Sequence, residues 1–541
     1  MGFKPQQLSP RQQVLLAALI FAVTGIVLQW WRLMTLNASY DQGIFLQVLW
    51  NGLSHHPFES TLSSQLSTNV IHSGEFPALG YHRLSQHFTP ILVSWIPFVA
   101  LFGVWALPIV QVSMTTLAGL ILYKLAVLDL KPELAAKITF AFYGANAVVA
   151  PTMANFTDLC QLPPLVFLLL YGLRKHNQWL ILIATILIPL VREDTGVVLA
   201  GVGIWLGVRE PRRWLLASSI VLIGLGWVAI VTNILMPIFG DDNARRFMVS
   251  NFGQFVPGST RATSVEILRE VLLQPFTLLR ELITPPGDTI RYLMGQGLPL
   301  LFVPLISVDA WLLMGLPMLG LLLAKGSNDP LSINIRYTFL VVPGLFAGSI
   351  YWWRSRQQIF ASRPFKKIWT GCILLSLIFC ILGNQNSSFS FLIPDSFHPW
   401  VYANPIAQWQ HGMEARKALK TIPAEASVSA NTNLVPWLAN RPVLIRFPHA
   451  VNYLDRTGLE QSVDWIAVDL NNLASRASAF RRDRKMLRKS IKFINKDSGA
   501  YNVQVIQDGV VIMQRNGPVD VDVEHELVRL LQDLSAIKGS S

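Results

Sequence analysis

Long apolar runs, each bounded by polar or charged clusters, occupy the first 383 residues. An apolar run of about twenty residues reads as a transmembrane helix, and loops rich in Lys and Arg mark the cytoplasmic side. These two rules predict about eleven spans. They lie near 13–33, 105–124, 137–154, 160–173 and 178–190, with a sixth returning to Arg209, a seventh at 214–236, a hairpin over 293–323 that turns at Asp309 inside, and the last two at 338–353 and 368–383. The segment 90–102 is short and punctuated by prolines, so it is placed half-embedded on the outer face. Counting it as a span would invert the following loops against the charge bias. Two long polar stretches, 34–88 and 237–292, are outer loops of a transmembrane domain covering 1–383.

The pattern changes near residue 384. Asn384-Gln385-Asn386-Ser387-Ser388 reads as a polar linker, and 384–541 as a small α/β domain with a helical tail. Helices are predicted over 403–421 and 474–489. Short apolar strands are predicted at 427–430, 443–447, 465–469, 501–506 and 510–514, the last two joined at Asp508-Gly509, a hairpin turn signal. The fold class is thus mainly α: a polytopic membrane protein with a small C-terminal α/β domain. An odd number of spans puts the N-terminus in the cytoplasm and the C-terminal domain outside.

Composition agrees with a membrane protein: of 541 residues, 52% are hydrophobic and only 14% charged. The net charge of +12 does not point to nucleic acid, because much of the excess sits in short loops between apolar runs. The rest is C-terminal, where Arg481-Arg482-Asp483-Arg484-Lys485 and Arg488-Lys489 make a basic helix face. That face is either merely solvated or attracted to anionic headgroups. Cys160, Cys372 and Cys380 have no metal-like spacing and imply no disulfide framework. The first apolar run, after Lys4 and Arg11, lacks a small-residue cleavage site and reads as a retained helix.

The few charges near membrane depth all fall on the outer side of this topology. They are Asp41, Asp158 and the triplet Arg192-Glu193-Asp194, joined by Asn334 and Arg336. A charge at the centre of a membrane helix costs roughly 2.5–3.5 kcal/mol, so such groups are rarely idle. Asp41 begins a stretch with Ile44, Phe45, Val48 and Leu49 at helical spacing, which predicts an amphipathic helix along the membrane surface. Asp41 either caps that helix or acts chemically. His55, His72, His82 and His87 share the first outer loop without a tight metal-ligand motif. His87 lies at the membrane re-entry, where an imidazole can bond a phosphate or a hydroxyl. Arg192 either pairs with Asp158 or Glu193 to hold helix ends together or grips phosphate oxygens in a fork. Arg336-Tyr337 could add a second phosphate ligand.

Tyr40-Asp41-Gln42-Gly43-Ile44-Phe45-Leu46-Gln47, His87-Phe88-Thr89-Pro90-Ile91-Leu92, Arg192-Glu193-Asp194 and the stretch from Ile422 to Pro442 carry a resemblance. Together they resemble a bacterial membrane-protein family defined as a domain of unknown function (number 2079), over about residues 38–515. That family in turn resembles a distant branch of the glycosyltransferase-C superfamily, multispan enzymes that use polyprenyl-phosphate-linked sugars. The superfamily resemblance implies an acidic catalytic base in the first outer loop, here Asp41. It also implies substrate-binding residues at outer helix ends, an extracytoplasmic C-terminal domain and, with the bacterial family, an inner-membrane location. Two departures stand out. Asp158-Leu159-Cys160 replaces an expected Asp-Phe-His, and Thr338-Phe339 follow Arg336-Tyr337 where a His-Tyr pair is common.

The resulting reading is an inverting glycosyltransferase of the cell envelope. Asp41 is its base, and Tyr40, Gln47, His87, Asp158, Arg192, Glu193, Asp194, Arg336 and Tyr337 are its substrate-binding candidates. The partners are a polyprenyl-phosphate-linked sugar, the bilayer and a glycan, lipid or protein acceptor. No metal ligand or cofactor is assigned, although a divalent ion held by Glu193 and Asp158 is an option. Two rivals remain: a non-catalytic protein that binds or assembles lipid-linked glycans, and, ranked last, a transporter. A transporter would need polar groups at mid-depth and an internal repeat, and the chain shows neither.

Overall fold

The computed structural model describes residues 8–70, 75–325, 330–384 and 387–539. His72 and the Gln385-Asn386 part of the expected linker lie outside the described residues. The chain divides into two compact units: one comprises 1–27, 84–92 and 108–383, the other 28–83, 93–107 and 384–541.

The first unit is helical. Among the described residues of the whole chain, four helical stretches are long and apolar enough to cross a bilayer: Pro10–Met34, Pro90–Ala126, Pro211–Gly240 and Arg363–Gly383. Helices Pro132–Gly144 and Asn146–Thr152 make at most a fifth, bent by 47°. The expected count of about eleven is not confirmed. Helices Gln178–Val191, Thr195–Arg209 and Val308–Leu323 are apolar but short, with 14, 15 and 16 residues. At 1.5 Å per residue they reach only about 21–24 Å, less than the ~30 Å hydrocarbon core. Local backbone chemistry sets these breaks. Ala145 is extended between two helices. Leu301 and Phe302 are both left-handed and divide the expected hairpin into Pro286–Gly297, a 3-10 turn, Val303–Ile306 and Val308–Leu323. Hydropathy records composition and does not record such breaks.

Close helix packing follows from small residues. A Cβ on Gly196 would fall 2.3 Å from Gly224 O, and one on Gly224 would fall 2.4 Å from Gly196 O. Helices Thr195–Arg209 and Trp214–Ile230 therefore meet backbone to backbone. At the other end of Thr195–Arg209, Asp309 accepts from Arg209 Nε at 2.6 Å and Trp205 Nε1 at 2.9 Å, a buried anchor for the helix it starts.

In the second unit, β1 Ser396–Phe397 and β2 Trp400–Val401 form a small hairpin. A five-stranded sheet follows, from β3 Val428–Ala430, β4 Leu444–Arg446, β7 Trp465–Asp469, β8 Tyr501–Gln507 and β9 Val510–Arg515, in the order β4-β3-β7-β9-β8. Strands β5 Asn452–Leu454 and β6 Glu460–Ser462 pair separately. The β4, β3 and β7 strands are parallel and buried. Asp508 and Gly509 take positive φ in the β8–β9 turn. The expected helix 474–489 is two helices, Leu470–Ala477 and Arg481–Lys492. Leu487 and Ile491 of the latter pack on Ile466, Val468 and Met513 of the sheet.

Helix Tyr40–Leu53 corrects another expectation. It does not expose a polar face: Tyr40, Gln42, Ile44, Phe45, Gln47 and Val48 are all buried. Gly43 permits this, since a Cβ there would stand 2.2 Å from Val435 Cγ1.

Candidate functional site

His87, Asp158, Arg192, Glu193, Asp194 and Tyr337 meet within the first unit. Helix Gln178–Val191 ends before Arg192, whose backbone is extended, and Thr195 ties the turn by donating Oγ1 to Ile188 O at 2.6 Å and Arg192 O at 2.7 Å. Arg192 is 3% exposed. Its Nε and Nη2 donate to Asp194 Oδ1 and Oδ2 at 2.8 and 2.5 Å, a bidentate pair. Its Nη1 stands 4.0 Å from Asp158 Oδ1, beyond hydrogen-bond length. Asp158 is held by Thr157 Oγ1 and the Leu159 N–H, both at 3.0 Å. Burial opposes the Arg192 charge, but Asp194 and Asp158 outweigh it and hold the guanidinium above its ordinary value.

Glu193 turns the other way. Its Oε1 lies 2.8 Å from His87 Nδ1, and its Oε2 accepts from the Phe88 N–H at 2.8 Å. Burial raises this carboxyl, yet His87 and then Arg192 reverse the balance and hold it below the usual range. Two guanidinium groups stand over the Tyr337 ring, Arg192 at 5.6 Å and Arg336 at 5.3 Å from its centroid.

Of these, His87, Arg192, Glu193, Asp194 and Tyr337 line a cavity of about 280 Å³, and Asp158 stands behind Arg192. The rest of its lining is mostly apolar, with Val197, Val228, Phe247, Met248, Leu316 and Leu321. A cavity lined by a cluster of charged groups and mostly apolar side chains suits an amphiphile with an anionic head. Phe247 and Met248 belong to helix Met236–Phe252, inside the stretch read only as an outer loop. The apolar Phe247-Met248-Val249 run after Gly240 was the available signal. Thr232 and Ser264, also lining the cavity, were not singled out either.

Asp41, Tyr40 and Gln47 belong to the second unit. Ser39, not Asp41, is the N-cap of helix Tyr40–Leu53, and Asp41 is half-buried in its first turn. The positive end of the helix favours a carboxylate there. Arg32, Tyr40 and Arg446 all feel the Asp41 charge. Tyr40 is buried and donates to Leu62 O at 2.5 Å. Gln47 is fully buried and committed to the protein. It donates to Thr61 Oγ1 and Arg441 O, each at 3.1 Å, and accepts from Ser60 Oγ at 2.7 Å and the Leu62 N–H at 3.2 Å. In this state it has no group left for a substrate.

At the two departures from the expected pattern, Cys160 is fully buried and Thr338 is buried with Oγ1 donating to Ala147 O at 2.7 Å. Neither lines the cavity. Among the described residues, His, Cys, Asp and Glu do not gather in groups of three that could hold a metal.

The model of a family described as a predicted membrane protein (DUF2079) matches residues 32–512. No curated protein matches the chain in sequence. Among solved structures, the crystal structure of the Archaeoglobus fulgidus oligosaccharyltransferase in complex with Zn and sulfate is similar at 12% identity and a TM-score of 0.40. The match covers 93% of this chain and 74% of that one.

Proposed function

The chain belongs to the DUF2079 family of predicted membrane proteins, and from that premise we propose that it is a glycosyltransferase. It moves a sugar from a polyprenyl-phosphate-linked donor to a glycan, lipid or protein acceptor on the extracytoplasmic face of a bacterial plasma membrane. The observation that carries this reading is the cavity, whose charged cluster and mostly apolar lining suit a phosphate head and a prenyl tail.

The chemistry assigns a role to each group. An acceptor hydroxyl oxygen bonds to the anomeric carbon while the bond from that carbon to the phosphate oxygen breaks, and the electron pair leaves with the polyprenyl phosphate. Asp41 takes the hydroxyl proton. Arg192, through the Nη1 that Asp194 leaves unused, and His87 stabilise the charge on the departing phosphate. Arg336 adds charge beside Tyr337. Asp194, 40% exposed, orients sugar hydroxyls. Asp158 and Glu193 hold Arg192 and His87 in place. No step is assigned to a divalent ion, because the described donors do not gather around one point. Transfer is therefore expected to persist in excess EDTA, and its abolition with rescue by Mg²⁺ or Mn²⁺ would contradict that assignment.

The deciding experiment is transfer from a panel of polyprenyl-phosphate sugars by purified wild type, Asp41→Asn and Arg192→Ala. Transfer that collapses in folded Asp41→Asn supports the assignment of the base, and equal activity removes Asp41 from the mechanism. A second reading, a non-catalytic binder of lipid-linked glycans, is favoured by Cys160 and Thr338 standing where imidazoles are expected. It predicts donor binding that needs Arg192, without turnover.

A further inference from the structure

The second unit carries a cluster of cations that the proposed transfer leaves unused. Arg446 ends β4 and is 8% exposed. Its guanidinium packs over the Tyr40 ring, 4.8 Å from the centroid, and its buried Nε has no hydrogen-bond partner. Gln65 bonds the backbone of Arg446, not its guanidinium, through both ends of its amide. The guanidinium donates to none of the described side chains. His449 follows three residues later, with a buried Nδ1 that is also without a partner. Burial first, then Arg446, Lys489, Arg482 and Lys485, push this imidazole down to about 3, so it is neutral at physiological pH.

Three of those cations recur along one face of helix Arg481–Lys492, at positions 482, 485 and 489. The acidic residue of the same helix, Asp483, is turned to Arg476 at 3.2 Å. Asp41 is the carboxylate whose charge Arg446 feels, and Arg482 opposes it. Exposed lysines on a helix would by themselves be a solvated face. A buried arginine with unused donors is different, because desolvating a charge without hydrogen-bond acceptors is costly.

We propose that Arg446, His449 and the 482/485/489 face form a binding site for a phosphate-type oxyanion. Several cations converging on one place call for more than one negative charge, and a guanidinium fork beside ammonium groups suits phosphate oxygens. A neutral imidazole supplies one further N–H. The phosphate can be that of a lipid headgroup or a free one. The site stands apart from the transfer reading, since it uses none of the residues given a role there.

The test is calorimetric titration of the full-length protein in neutral detergent with inorganic pyrophosphate and, separately, with dihexanoyl phosphatidic acid. Arg446→Gln is expected to weaken binding about tenfold or more, as loss of hydrogen bonds to a charged group does. Lys485→Gln/Lys489→Gln, which changes only exposed side chains, should weaken it and flatten its salt dependence. Binding of pyrophosphate with these losses identifies a site open to free phosphates. Binding of the lipid alone, with the same losses, identifies a headgroup site. Absence of binding to either probe, or equal affinity in wild type and the double variant, overturns the proposal.

Discussion

At the scale of single residues, Arg192 is held by geometry that only a guanidinium can satisfy. Its two bonds to Asp194 use the planar fork, so Arg192→Lys keeps the charge and loses the second bond. Breaking a buried pair costs roughly 3–5 kcal/mol, but Asp194 is 40% exposed, so about 2 kcal/mol is the expected loss. Thermal unfolding in detergent measures it, and a melting temperature unchanged from wild type would refute the bidentate role. His411 gives a second prediction. Its Nε2 lies 3.0 Å from Asp469 Oδ2 and its Nδ1 2.7 Å from Asp508 Oδ2. Burial opposes its charge, but the bonds to Asp469 and then Asp508 raise it to about 9. A raised value means that the imidazolium stabilises the fold fully below its ordinary value near 6.5 and stops doing so as pH rises through about 9. Unfolding followed across that window should show stability falling with pH, and His411→Gln should flatten the slope. The sequence made the Arg192 triplet legible because charges at the ends of apolar runs are conspicuous. It offered Gln47 only as a substrate ligand and left His411 unmarked, because partners such as Arg441 for the one and Asp469 and Asp508 for the other lie beyond any local pattern.

Elements were legible where one periodicity governed the whole stretch. The strands β3, β7, β8 and β9 are short apolar runs closed by turn residues, and they are where those signals put them. Apolar helices were harder, since a run can be interrupted by two left-handed residues, as at Leu301-Phe302, without any change in hydropathy. Helix Tyr40–Leu53 misled in the opposite sense. Its spacing looked amphipathic because Ile44, Phe45, Val48 and Leu49 recur at helical spacing, yet the polar Gln42, Gln47 and Asn51 are buried as well. Gly43 is the reason that helix can sit so deep, and Gly43→Ala tests it. The added methyl would meet Val435 Cγ1, and overpacking of this kind costs about 1–3 kcal/mol. Val435→Ala in the same chain removes that methyl and should recover part of the loss. No recovery would mean that the helix is placed by something other than this contact.

For the molecule as a whole, the surface tells which solvent it meets. Leu19, Val27, Leu222, Ile234, Ile368 and Phe379 are exposed on three of the membrane-length helices, a surface that water would penalise and lipid covers. The proposed orientation rests on charge: Arg354, Arg356, Arg363, Lys366 and Lys367 lie at one end of Arg363–Gly383, the end that the positive-inside rule assigns to the cytoplasm. On the proposed orientation, the residues after that helix lie on the opposite side. Cysteine accessibility measures this directly, since Cys160 and Cys380 are buried and Cys372→Ser removes the half-exposed thiol. In that background, Ser362→Cys should react with a membrane-impermeant maleimide only after cells are opened, while Leu459→Cys, at an exposed position of the second unit, should react in intact cells. The reverse pattern would put Asp41, in the same unit as Leu459, in need of a cytoplasmic donor, and a polyprenyl-phosphate sugar presented outside could not be its substrate. Labelling of both from one side would show that Arg363–Gly383 does not cross the membrane, and the charge argument would fail at its strongest point.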